Sequence, residues 1–155
     1  MTVKAVPEGF STITPYIIVK DASKYIEFLK EAFDAQTISL CHHPNGTVSH
    51  ATLRIGDSMI MLSEHHEEGP WAKDWTASPV TFYLYVPDAD ALYERTLRAG
   101  AEPLLKMEDQ LYGDRSGAVR DAWGNKWCIS THIEDVSDAE IEKRFAEARS
   151  TANKG

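Results

Sequence analysis

The chain has 155 residues, 43% of them hydrophobic and 26% charged, the size and composition of one folded domain with a sizeable core. Lysine and arginine number 16 against 24 aspartates and glutamates, and the net charge of −8 argues against a nucleic-acid grip or an anionic membrane surface. Charged residues or glycine interrupt every apolar run, Met1 to Phe10 has no apolar signal core, and two cysteines are too few for a disulfide framework. A cytoplasmic protein is expected, with neither membrane nor nucleic acid as partner.

Residues 1–10 read as an N-terminal extension. Ile13 to Val19 is rich in β-formers, and Asp21 follows as the expected helix N-cap. Tyr25, Phe28, Leu29, Ala32 and Phe33 then keep the spacing of an amphipathic helix. Strands are expected at Thr37 to Cys41, Val48 to Ile55 and Met59 to Ser63, with turns at Pro44-Asn45-Gly46 and Gly56-Asp57. Residues 67–78 form a connecting loop, part of a longer stretch, Glu64 to Pro79, with Trp71 and Trp75 as candidate lid residues. A second set follows: Val80 to Val86, a helix from Asp88 closed by Gly100, Pro103 to Met107, Ala118 to Arg120, and Lys126 to Thr131. Ser137 to Glu140 reads as a capping box opening a helix to about Arg149, with a frayed tail beyond.

The two sets repeat. A shift of 67 residues aligns Thr14 with Thr81, Tyr16 with Tyr83, Val19 with Val86, Asp21-Ala22 with Asp88-Ala89, and Glu27 with Glu94. At the same offset Ala32 meets Ala99, Ser63 meets Ser130 and His65 meets His132. The expected fold is therefore α+β: two tandem β-α-β-β-β modules, residues 11–66 and 79–132, forming a cupped mixed sheet. Residues 133–155 add a C-terminal helix and tail.

Tandem modules opening with I-T-P-Y-I-I-V-K-D resemble the vicinal oxygen chelate superfamily of glyoxalases, bleomycin-resistance proteins and extradiol dioxygenases. His50 to Leu62 (H-A-T-L-R-I-G-D-S-M-I-M-L) and Asp109 to Trp127 (D-Q-L-Y-G-D-R-S-G-A-V-R-D-A-W-G-N-K-W) are similar to its bacterial glyoxalase-like, demethylubiquinone-methyltransferase-like branch. The resemblance implies a cup around a divalent cation, with ligands from the first and last strands of both modules. Those positions fall here on Thr14, Met61, Thr81 and Cys128. Two threonines and a thioether are poor ligands, and one cysteine makes no site, so no metal and no cofactor are expected.

A displaced metal site has one place to form. If Asn45-Gly46 is a two-residue turn, Cys41 faces His50 across the strands, with His43 on the same face as Cys41. His42, His65 and His66 sit near turns and read as solvated. Along Val48 to Ile55, Ala51, Leu53 and Ile55 alternate with His50, Thr52 and Arg54, so His50 should point into the cup. The same phase sends Tyr16, Met61, Tyr83, Tyr85 and Cys128 there, an aromatic and thioether lining suited to a small molecule. Gln110, Tyr112 and Arg115 are candidates for the cup mouth, as is Trp75. Alternatively, Asp114 and Arg115 pair with Arg120 and Asp121 to fix a loop.

The leading expectation is a small-molecule binder for an aromatic or natural-product ligand, without the usual metal quartet and assembled as a homodimer. The alternative is a lyase, isomerase or dioxygenase-type enzyme with a non-standard metal or His50 as general base. A third reading is a structural or regulatory dimer module with a vestigial pocket.

Overall fold

A computed structural model describes residues 5–66 and 80–154, so Trp71, Trp75 and the loop expected to close over a site lie outside the described residues. The first module runs β1 (Tyr16–Val19), α1 (Ala22–Phe33), β2 (Gln36–His42), β3 (Val48–Ile55) and β4 (Ser58–Glu64). The second runs β5 (Thr81–Tyr85), α2 (Ala89–Arg98), β6 (Glu102–Asp109), β7 (Asp114–Arg120) and β8 (Lys126–His132), and α3 (Asp138–Ala152) follows. The expected α+β class and tandem β-α-β-β-β organisation are both present, as two four-stranded mixed sheets ordered β1-β4-β3-β2 and β5-β8-β7-β6. In each sheet the first and last strands pair in parallel and the other neighbours are antiparallel.

Alternation decides which side of each sheet is covered. In the first module Tyr25, Phe28, Leu29, Ala32 and Phe33 of α1 are buried, together with Ile17, Val19, Ala51, Leu53, Ile60 and Leu62 from the strands. In the second, Trp127 and Ile129 are buried, and Phe82 stacks on Trp127 with ring centroids 4.3 Å apart. Helix α2 buries Ala89, Tyr93 and Thr96. The opposite, helix-free face of each sheet carries the residues with the other parity.

Several boundaries differ from those read in the sequence. Strand β1 starts at Tyr16 rather than Ile13, because Pro15 has no amide to donate and Ile13 is 83% exposed. Asp21 holds the N-cap position but does not cap. Its backbone is left-handed (φ 59°), and both its own amide and that of Ala22 donate to the Glu64 carboxylate at 2.8 Å. Asp88 does cap, accepting from the Ala91 amide at 3.0 Å. The capping box at α3 is half formed: Ser137 Oγ accepts from the Glu140 amide, while the Glu140 carboxylate turns to Arg144. That helix runs three residues past Arg149, to Ala152.

The repeat is not uniform either. The β1–β4 and β5–β8 registers, Tyr16 opposite Met61 and Tyr83 opposite Cys128, preserve the shift of 67. Strand β3 turns into β4 through Gly56 and Asp57 alone, whereas β7 reaches β8 through Asp121 to Asn125. As a result Thr52 faces Met61 but Ala118 faces Cys128, and β7 lags the shift by one. The structural counterpart of His50 is Ser116, and that of Val48 is Asp114. Among the described residues no helix is long and apolar enough to cross a membrane.

Candidate functional site

The start of β7 builds the site. Sequence reading puts Asp114 and Arg115 in a loop, but the turn closes earlier. The Gln110 amide donates to Asp114 O at 2.7 Å and the Gly113 amide to Gln110 O at 3.2 Å, with Gly113 at φ +96°. Gly113 O then accepts from the amides of Ile133 and Glu134. A Cβ at Gly113 would stand 2.1 Å from Glu134 O, so only glycine lets these segments meet. The strand therefore begins at Asp114, and Asp114 and Arg115 point to opposite faces.

Asp114 points to the helix-free face and is 3% exposed. One carboxylate oxygen accepts from the hydroxyls of Tyr83 and Tyr85, each at 3.0 Å, and the other lies 2.9 Å from His132 Nδ1. The remaining nitrogen of His132 lies 2.8 Å from Asp135. Burial works to raise the Asp114 pKa, but hydrogen bonds from His132, Tyr83 and Tyr85 outweigh it and hold the carboxyl below its usual range. His132 is correspondingly raised, by Asp135 first and then Asp114. Burial above all holds the Tyr83 phenol high, and donation to Asp114 raises both it and Tyr85.

The same face carries more hydroxyls. Tyr112 Oη lies 3.4 Å from Ser116 Oγ, and Ser116 stands opposite Ser130 in the register. Among the described residues Ser130 Oγ is buried and has no hydrogen-bond partner. Cys128 is half-buried opposite Tyr83, and burial pushes its thiol up. The structure thus brings Tyr83, Tyr85, Tyr112 and Cys128 to one sheet face, around an aspartate that the sequence suggests for a loop pair and a histidine that it marks only as a repeat match to His65.

Arg115 sits on the α2 side, away from the Asp114 face, with its guanidinium bound to both carboxylate oxygens of Asp90 (2.7 and 2.8 Å) and to Asp109 at 3.0 Å. These partners raise its pKa, and Arg115 in turn lowers that of Asp90. Asp121 is buried and accepts from the Trp123 and Asn125 amides and from Trp127 Nε1, all at 2.9 Å. The Gln110 side chain makes a local contact, from Nε2 to Glu108 O at 3.4 Å.

The first module places Tyr16, His50 and Met61 on its own helix-free face. His50 Nε2 lies 3.2 Å from Thr52 Oγ1, and the His50 and Tyr16 rings are 5.8 Å apart. Cys41 does stand opposite His50, but His43 turns to His66, with their Nε2 atoms 3.1 Å apart. Both rings lie at the surface, and His66 is exposed. Among the described residues no three His, Cys, Asp or Glu side chains converge as a metal site requires.

The ligand positions implied by the family do not fit a cation. Thr81 stands opposite Lys126, Met61 opposite Tyr16, and the Cys128 thiol is kept protonated by burial. The signal that finds Asp114 is alternation extended backwards: Ala118, Ser116 and Asp114 share one face and Val119, Gly117 and Arg115 the other.

Comparison with known proteins agrees with this architecture. The Mycobacterium bovis protein Mb0911c is 36% identical over 135 residues, covering 84% of this chain and 89% of its own. Among solved structures, TioX from a Micromonospora species superimposes with a TM-score of 0.67 at 23% identity, over 79% of this chain and 99% of TioX. The fosfomycin resistance protein FosX from Listeria monocytogenes gives 0.58 at 19% identity, over 84% of this chain and 97% of FosX. Both likenesses are of fold. The profile of the Glyoxalase/Bleomycin resistance protein/Dioxygenase superfamily matches residues 9–129, and the chain belongs to that superfamily.

Proposed function

We propose that the protein binds a small planar ligand on the helix-free face of the second module without using the family's metal quartet. One observation carries this reading. Tyr83 and Tyr85 are 46% and 63% exposed, yet each hydroxyl is tied to the same buried carboxylate. Two rings 5.2 Å apart are thus held open to solvent at an angle of 48°, with little freedom left to lose on binding. Stacking on such rings contributes about 0.5–1.5 kcal/mol per ring beyond burial. Tyr112 and Cys128 extend the surface. Tyr16, His50 and Met61 form the comparable face of the first module, and His50 is proposed as a ligand contact there.

The test is an amide-shift screen of flat aromatic fragments against labelled protein. Shifts should concentrate on β5 and on the start of β7, and should vanish in Tyr83→Leu/Tyr85→Leu. Shifts confined to other surfaces would overturn the reading. Assembly as a homodimer is proposed alongside it. Edge strand β2 is exposed along its whole length and offers unpaired backbone to a second copy. Sedimentation at micromolar concentration should give twice the chain mass.

A further inference from the structure

His132 is gripped unequally at its two nitrogens. Nδ1 meets Asp114, which is buried and also fixed by Tyr83 and Tyr85 from β5. Nε2 meets Asp135, whose side chain is 103% exposed. The first contact is rigid and partly dry. The second reaches a carboxylate in full contact with water, where an ion pair contributes little and is readily exchanged. Other charges nearby are engaged elsewhere: Glu134 with Arg144, and Arg115 with Asp90 and Asp109 on the far face. Lys126 shares the face but lies toward its other end, opposite Thr81; His132 is the cation bonded to the carboxylate that fixes both tyrosine rings, and its outward N–H has a replaceable partner.

We propose that the ligand is a planar molecule bearing a weakly acidic hydroxyl on its ring system, a phenol-type group, whose oxygen replaces Asp135 at His132 Nε2. This inference rests on the small-ligand reading above and assigns its chemical class. A phenolate is a stronger base than a carboxylate and so a better acceptor from an imidazolium, while its ring occupies the tyrosine faces. The proton balance is explicit. A neutral phenol meeting neutral His132 gives up its hydroxyl proton: the O–H bond breaks, the Nε2–H bond forms, and no proton leaves. A neutral phenol meeting the imidazolium reaches the same imidazolium–phenolate pair by releasing one proton to water. Asp114 stays ionised in both cases and fixes the ring through Nδ1–H.

The probes are 4-nitrophenol, whose phenolate has its own absorption band, and 4-nitroanisole, which has the same ring but no acidic proton. Both are titrated into the full chain at about pH 6, where an imidazole of raised pKa is charged. The expected result is binding of 4-nitrophenol about tenfold tighter than 4-nitroanisole, with the phenolate band in the complex. His132→Gln should remove the difference. Asp135→Ala should tighten 4-nitrophenol binding, because it removes the competitor, whereas a purely structural network would be weakened by it. Equal binding of the two probes, or weaker binding in Asp135→Ala, overturns the phenol assignment and leaves the small-ligand reading standing. If neither probe binds, both fall.

Discussion

Glu64 and Thr131 occupy the same place in the two modules and do the same work with different chemistry. Each accepts a hydrogen bond from the first amide of its module's helix, Ala22 to Glu64 at 2.8 Å and Ala89 to Thr131 at 2.9 Å. A last strand thus satisfies an amide that would otherwise be orphaned at the start of a helix. Glu64→Ala and Thr131→Val should each cost about 1 kcal/mol in denaturant unfolding, the usual value of a lost N-cap. Asp21→Asn should change stability by less than about 0.5 kcal/mol, because the Asp21 side chain makes an exposed pair with Lys24 and asparagine tolerates the left-handed backbone.

The Asp114–His132 pair makes stability depend on pH in two directions. The folded pKa of His132 is raised, so its contribution is complete below about pH 6.5 and fades as pH rises through the folded value. That of Asp114 is lowered, so its contribution is complete above about pH 4 and fades as pH falls through the folded value. Unfolding of wild type and His132→Gln should therefore differ most in mildly acidic buffer and converge in alkaline buffer. A gap that widens with rising pH would contradict the assignment.

Asp121 holds the long β7–β8 turn closed by accepting two backbone amides and the Trp127 indole N–H. Asp121→Ala leaves three donors without their acceptor, two of them in buried surroundings, and should cost about 3 kcal/mol. Asp121→Asn should cost less, since its amide oxygen still accepts. Thermal unfolding of the pair checks the order.

With Thr14, Met61, Thr81 and Cys128 at the family's ligand positions, purified protein should carry no dialysis-resistant zinc, nickel, iron or manganese. Elemental analysis decides this. One equivalent that disappears in His50→Ala would move the function toward metal-assisted catalysis.

Strand phase was the most legible part of the sequence. Tyr83 and Tyr85 lie two and four residues after Thr81, and the buried Trp127 and Ile129 stand opposite Phe82 and Leu84 between them, so the helix-free face follows from alternation alone. Asp114 and Arg115 were harder. Their neighbours Tyr112 and Gly113 suggest a loop, and only the Gly113 contact with Glu134 starts the strand where it does. His132 and Asp135 were illegible for a different reason. One ends a strand and the other follows it, so alternation gives neither a role; the repeat matches His132 to His65 without showing a partner, and its link to Asp114 exists only once β7 and β8 are paired.

The unequal turns between the last two strands of each module also bear on protein engineering. Two residues, Gly56 and Asp57, make the bend in one module, and Asp121 to Asn125 make it in the other. A graft of His50 into the second module by counting 67 residues would land on Gly117, where even a Cβ would meet Leu105 O at 2.9 Å. Placed one residue earlier, at Ser116, it would enter the polar face beside Ser130. The same offset of one sets a buried valine, Val48, and the buried carboxylate of Asp114 at equivalent places, so a swap between the modules would have to carry its bend along with its strand.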